Sequence, residues 1–123
     1  MNVLVTGGRN FADYQTVENA MDSLLLKYPT LELIHGGASG ADALADRWAK
    51  KRLVPCEVFP ADWKKHGRAA GPIRNQEMLD QHPQIVVAFP GGRGTQDMIL
   101  RAKRAKITVI IVDDDFTLRK ATQ

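Results

Sequence analysis

The chain holds one cysteine, Cys56, in 123 residues. That excludes an internal disulfide and a cysteine-only zinc site, and it makes a reducing compartment, the cytoplasm, the expected location. Aromatic residues are sparse at 7%, and no pattern of aromatics interleaved with cations marks a single-stranded nucleic-acid groove. Neither charge sign dominates: 17 Lys and Arg against 14 Asp and Glu leave +3. This balance suits an anionic ligand and falls short of a nucleic-acid footprint. No apolar run is long enough to span a membrane, and Met1-Asn2-Val3-Leu4-Val5 lacks the basic n-region of a signal peptide. The three histidines, His35, His66 and His82, show no metal-ligand spacing, so no metal and no cofactor are expected. Internal repeats and low-complexity segments are absent, and the length suffices for one core and not for two.

What is present is an alternation of short apolar runs with helix-period segments. Val3-Leu4-Val5 predicts a first strand. Val17, Ala20, Met21, Leu24, Leu25 and Tyr28 predict one buried helical face, with Asp13 as N-cap and Pro29 as the stop. Leu31–Ile34 is a second strand, and Ala41, Leu44, Ala45, Trp48 and Ala49 line the next helix. Val54–Phe59 is a third strand, placed at an edge because Pro55 removes a ladder donor. A long loop over Pro60–Gly71 precedes a helix from Pro72, at N1, to about Gln81. Ile85–Phe89 is a fourth strand. A helix over Thr95–Lys106 turns Met98, Ile99, Ala102 and Ala105 inward, and Ile107–Val112 is a fifth strand, apolar but for Thr108. The pattern predicts an α/β fold: a Rossmann-like three-layer sandwich around a five-stranded parallel sheet of order 3-2-1-4-5, over residues 1–112. Residues 113–123 are expected to form a solvated, partly frayed tail. A bare apolar fifth strand at the edge predicts cover from a second subunit.

Glycine is concentrated rather than scattered. Eight of the ten glycines fall in three groups, Gly7-Gly8, Gly36-Gly37 with Gly40, and Gly91-Gly92 with Gly94, each at the C-terminal end of a predicted strand. Strands one, two and four are neighbours in the predicted order, and open parallel sheets bind ligands outside those ends, near the reversal of strand order. Glycine there lets backbone amides and helix N-termini approach an anion; it also serves for tight strand–helix turns. The standard phosphate motifs are missing: no glycine loop ends in Gly-Lys-Ser/Thr, and Gly92-Arg93-Gly94 continues Thr95-Gln96-Asp97 without the third glycine of the dinucleotide fingerprint. Ser39-x-x-Asp42 reads as a capping box for the second helix.

Five segments in order carry a resemblance: Val5-Thr6-Gly7-Gly8-Arg9, His35-Gly36-Gly37-Ala38-Ser39-Gly40-Ala41-Asp42, Pro60-Ala61-Asp62-Trp63, Ala70-Gly71-Pro72-Ile73-Arg74-Asn75 and Phe89-Pro90-Gly91-Gly92-Arg93-Gly94-Thr95. The set resembles the YspA-type, cpYpsA-related SLOG family of the SMF/DprA–LOG superfamily, over nearly the whole chain. The resemblance implies a Rossmann-like domain that binds nucleotides or nucleotide-derived ligands such as ADP-ribose, commonly as a homodimer. It also implies a relation to LOG enzymes, which hydrolyse the N-glycosidic bond of nucleoside 5′-monophosphates. Pro90–Thr95 matches the part of the LOG motif whose backbone holds phosphate, but the catalytic glutamate of that motif falls on Met98. Asp97, one residue earlier, is rotated by about 100° on the helix and is alternatively a helix-dipole acid paired with Arg101.

The candidate ligand-binding residues are therefore Thr6, Gly7, Gly8, Arg9, Gly36, Gly37, Ser39, Gly40, Asp42, Trp63, Arg74, Asn75, Gly91, Gly92, Gly94 and Thr95, with Asp97 and Arg74 as the catalytic pair if the site is an enzyme. Phosphate is expected on the amides of Gly91–Thr95 and Gly7–Arg9, with Arg9 and Arg74 as bidentate partners. Gly36–Asp42 would lie on the ribose side, and Trp63 would stack a base. His35 is read as a packing residue, and Asp113-Asp114-Asp115 as a solvated acidic turn. The leading function is nucleotide binding as a sensor, carrier or sequestering domain. A LOG-like N-glycoside hydrolase is the alternative, and DprA-like single-stranded nucleic-acid binding, with nucleic acid disfavoured as a partner by charge, is the third reading.

Overall fold

A computed structural model describes residues 1–113 and the backbone of Leu118–Ala121. The elements run β1 (Asn2–Thr6), α1 (Tyr14–Lys27), β2 (Glu32–His35), α2 (Ala41–Arg52), β3 (Cys56–Val58), α3 (Trp63–His66), a 3-10 turn (Gly67–Ala69), α4 (Ala70–Leu79), β4 (Ile85–Ala88), α5 (Arg93–Arg104), β5 (Thr108–Val112) and β6 (Leu118–Ala121). The sheet order is β3-β2-β1-β4-β5-β6. The first five strands are parallel neighbours in the predicted order 3-2-1-4-5.

Strand alternation divides the interior in two. Val3 and Val5 face one way and pack with Val17, Met21, Trp48 and Ala49 of α1 and α2. Leu4 faces the other way and packs with Met78, Met98, Ile99 and Ala102 of α4 and α5. Successive side chains of a strand point to opposite faces, so a sheet covered on both sides requires an unbroken apolar run, as in Val3-Leu4-Val5 and Ile85-Val86-Val87-Ala88. Asp13 caps α1 as expected, accepting from the Thr16 amide at 3.1 Å and from its hydroxyl at 2.7 Å. Trp48 is fully buried, and its indole N–H is satisfied by Asp22 at 2.8 Å, whose carboxylate also takes a two-pronged contact from Arg52.

Four expectations are corrected. The segment 60–71 is largely helical: Asp62 caps α3, and α4 begins at Ala70, which puts Pro72 at N3 rather than N1. Its missing N–H is still without consequence there, because no amide of the first turn has an intrahelical partner. Ala105 is exposed, since α5 ends at Arg104. Leu44 is only partly buried at the margin of the α1–α2 core, as are Leu25 and Tyr28 from the expected buried face of α1. Finally, residues 118–121 do not belong to a frayed tail but form β6, antiparallel to β5 with Ile110 opposite Lys120. An edge strand offers a row of unpaired N–H and C=O groups, and here the chain itself fills that row. A homodimer then rests on the family resemblance alone. No helix among the described residues is long and apolar enough to cross a membrane.

Candidate functional site

The three glycine loops meet at the C-terminal ends of β1, β2 and β4. The Gly8 amide donates to Pro90 O at 2.8 Å, and the Gly8 carbonyl accepts from Phe11 at 3.2 Å and from Ala41 at 3.1 Å. The loops after β1 and β4 and the start of α2 are thereby laced together by backbone. This is why several of the glycines are glycine. Gly40 has φ +74°, and a Cβ there would overlap the Gly8 carbonyl; a Cβ on Gly8 would lie 2.9 Å from Pro90 O. Gly92 and Gly94 differ: neither has positive φ, and nothing lies within 4 Å of an added Cβ. Their openness faces a cleft.

That cleft, about 550 Å³, is lined by Thr6, Gly7, Gly8, Arg9, Asp42, Trp63, Arg74, Asn75, Gly92, Gly94, Thr95 and Asp97 from the expected set. Of the remaining candidates, Gly36, Gly37 and Ser39 line a smaller adjoining hollow of about 340 Å³. Gly91 faces away, toward the β4–β5 end, and Gly40 lines none of these cavities and belongs to the loop packing. Arg68 and Arg93, which stand outside the expected set, also line the cleft. Their proximity to Trp63 and to the glycine group was the available signal.

Asp42 is buried on the cleft wall, and one of its oxygens accepts from the amides of Gly36 at 3.1 Å and Ala38 at 3.2 Å. Burial raises its carboxyl above the usual range, outweighing the opposite pull of the Ala38 amide, His35, Arg74 and the Gly36 amide. The expected capping box is not formed. Gly40 is the N-cap of α2 and carries no side chain to cap with, and Ser39 donates instead to the Arg9 carbonyl at 3.2 Å. Asp42 ties its own loop shut and does not cap a partner serine.

Arg74 reaches across the floor to donate to Gly36 O at 2.7 Å and to Asn75 Oδ1 at 3.2 Å. Burial lowers its guanidinium pKa, Asp42 opposes that shift, and the charge of Arg9 adds to it. A Cβ at Gly36 would collide with the Arg74 guanidinium and push that side chain off the Gly36 carbonyl. Asn75 is buried, and its amide bridges Gly94 O at 3.2 Å and Asp97 at 3.0 Å. Asp97 also takes Arg101 Nε at 2.9 Å, so the i,i+4 pairing weighed from sequence is present. Met98 is fully buried in the α4–α5 core. The helix rotation that turns Asp97 to the cleft turns residue 98 away from it.

At the head of α5, Gly92 is an N-cap with no side-chain acceptor. The first-turn amides lack intrahelical partners, so this helix end presents donors and partial positive charge to the cleft. The Gly8 amide is committed to Pro90 O, so of the Gly7–Arg9 amides expected on phosphate this one is not free. Arg9 stacks over Trp63, its guanidinium carbon 5.0 Å from the ring centroid.

One group of possible metal ligands, His35, Asp46 and Cys56, occurs on the far side of β2, within 4.8 Å of one another. Its bonding is already complete. His35 Nδ1 accepts from the Gly37 amide at 2.9 Å, which leaves Nε2 to donate to Asp46 at 2.9 Å. Asp46 is further held by Lys50 at 2.6 Å. Burial, and then Asp46, push the Cys56 thiol up to about 12, which keeps it a neutral thiol. His35 is thus a satisfied packing residue that shapes the Gly36–Gly37 loop. The side chains of residues 114 and 115 lie outside the described residues.

The fold and cleft define a Rossmann-like α/β domain with a ligand-sized site at the topological switch between β1 and β4. Residues 1–66 match the YspA, cpYpsA-related SLOG family. The Gene 61 protein of Mycobacterium phage D29 is 42% identical over 120 residues, covering 91% of this chain and 96% of that protein. The chain belongs to the YspA, cpYpsA-related SLOG family. Among solved structures, TM1055, a structural genomics target, matches with TM-score 0.68 at 18% identity, covering 88% of this chain and 71% of its own. MurG of Acinetobacter baumannii matches with TM-score 0.54 at 14% identity, over 89% of this chain and 34% of its own. At those identities the two structures establish a shared Rossmann-like fold.

Proposed function

We propose that the cleft binds a nucleotide or nucleotide-derived ligand and that the protein acts as a sensor, carrier or sequestering domain for it. The observation that carries this reading is the pair Gly92 and Gly94. They are glycines with open space over their Cα atoms and no positive φ to explain them, at an uncapped helix N-terminus facing the cleft. Backbone amides placed this way suit phosphate, and Arg9, Arg68 and Arg93 stand around the same opening. Asp42 supplies an acceptor for hydroxyls on the wall beyond.

Binding without hydrolysis is favoured over the LOG-like reading because the residue at the glutamate position is core, and because Asp97 is engaged by Asn75 and Arg101. Hydrolysis of an N-glycosidic bond needs a carboxylate free to stabilise an oxocarbenium-like centre. Calorimetry and thermal melting with AMP and ADP-ribose test the proposal. A ligand at 100 times its Kd raises stability by about 2.7 kcal/mol, and Gly94→Asp should abolish the gain. Absence of any shift with these ligands, and of any small molecule released on denaturation, would overturn the reading. Chromatographic detection of base released from AMP, lost in Asp97→Ala, would replace it with the hydrolase.

A further inference from the structure

Beyond phosphate binding, the arrangement of Arg9 and Trp63 bears on what else the ligand must carry. The two side chains, together with Ala38 and Arg74, line both the cleft and the adjoining hollow beside Gly36 and Pro60. They therefore stand between the two spaces as a partition. Trp63 is the one aromatic residue in the cleft lining and is 47% exposed. It is nevertheless held in place: Asp62 caps the helix it begins, and the edge of its ring approaches Gly71, where an added Cβ would lie 3.4 Å from Cη2. Arg9 has its carbonyl fixed by Ser39, while its side chain is exposed and rests on the indole. Among the described residues no ion pair holds its guanidinium, and its charge bears on the half-buried Arg74.

We propose that Arg9 is a placeholder on the face of Trp63, and that this face is the seat of a planar heterocycle in a ligand that also carries a phosphate. A stacked ring holds an indole more strongly than an exposed guanidinium does, so the exchange is downhill. The displaced Arg9 keeps its charge and swings onto the anion, relieving its repulsion with Arg74. The exchange selects for ligands with both parts. A sugar phosphate leaves Arg9 on Trp63, and a nucleoside displaces Arg9 without giving it a partner. The inference rests on the nucleotide reading and narrows it.

The probes are AMP, adenosine and ribose 5-phosphate, measured on the full chain by calorimetry and by tryptophan emission. The other tryptophan, Trp48, is fully buried in the α1–α2 core, so a ligand-dependent change reports Trp63 and should vanish in Trp63→Phe. AMP should quench the emission, ribose 5-phosphate should not, and adenosine should bind at least tenfold more weakly than AMP. Trp63→Leu should weaken AMP at least tenfold and leave ribose 5-phosphate unchanged, with the melting temperature confirming that the variant is folded. Arg9→Ala should reduce AMP affinity and spare ribose 5-phosphate. AMP that binds without altering emission, or equally well to Trp63→Leu, places the ring elsewhere and overturns the proposal while leaving nucleotide binding intact. Equal weakening of both phosphorylated probes by Trp63→Leu also overturns it. Failure of all three probes to bind overturns this inference; the nucleotide reading falls with it only if ADP-ribose also gives no shift and no small molecule is released on denaturation.

Discussion

Alanine at Gly40 and alanine at Gly94 should have opposite consequences, because a Cβ at the two positions meets different surroundings. Gly40 has φ +74° and ψ −128°, a region essentially closed to side chains, which costs about 1–3 kcal/mol. Its Cβ would also overlap the Gly8 carbonyl and lie 2.5 Å from the carbonyl of Arg9. Both are backbone atoms, held by bonds to Phe11, Ala41 and Ser39, so relief requires shifting two loops, at about 1–3 kcal/mol more. A combined loss of about 2–6 kcal/mol is a large part of the roughly 5–15 kcal/mol of a domain this size. At about 4 °C per kcal/mol it lowers the melting temperature by about 8–24 °C. Gly94 is helical with empty space above it, so alanine there should be neutral or stabilising by up to about 1 kcal/mol. Its methyl enters the cleft where phosphate is proposed, and AMP affinity should fall at least tenfold. Thermal denaturation by circular dichroism and calorimetry with AMP read the two effects separately. The reasoning is refuted if Gly94→Ala destabilises the fold as much as Gly40→Ala does, or if Gly40→Ala melts with the wild type.

Three further outcomes follow from the same geometry. The folded-state pKa of Asp42 is raised by burial, so the folded chain holds a proton that the unfolded chain has released. Stability therefore falls as pH rises from about 4 through the folded value. Asp42→Asn keeps an acceptor for Gly36 and Ala38 without ionising, so its melting temperature relative to wild type should climb across that window; a pH-independent difference would contradict the account. Met98→Glu should not create a hydrolase. It places a carboxylate among Leu4, Val86 and Ala88, at a cost of several kcal/mol that is smaller at pH 5 than at pH 8, with no base released from AMP in chromatography. Cys56, its thiol pushed up to about 12, should react with Ellman's reagent at pH 8 at least about tenfold more slowly than a free thiol, and Asp46→Asn should speed it. Labelling at the free-thiol rate would show that burial and Asp46 do not govern it.

Most of the architecture was legible from pattern. Apolar runs of strand length, helical spacing such as Val17, Ala20, Met21 and Leu24, and the edge proline Pro55 define the parallel sheet and its order, because burial on both faces and right-handed crossovers leave few alternatives. Leu118–Ala121 was not legible as a strand: Leu-Arg-Lys-Ala carries no alternation of its own. It pairs because β5 presents a free ladder edge, a property of the neighbour rather than of the segment.

The position of the glycine groups pointed to where the cleft lies, since strand ends and chain connectivity are local matters. Which glycines pack against backbone and which open onto space was decided only when the three loops were brought together: the same residue type closes a loop contact at Gly8 and Gly40 and leaves room at Gly92 and Gly94. Likewise, sequence spacing alone placed Asp97 and Met98 about 100° apart on a helix. The tertiary structure decided which side is core and which is cleft, and with it that Ser39 serves the Arg9 carbonyl rather than a helix cap. Local pattern determines elements and their ends; long-range packing determines which polar groups remain free once the backbone has claimed the rest.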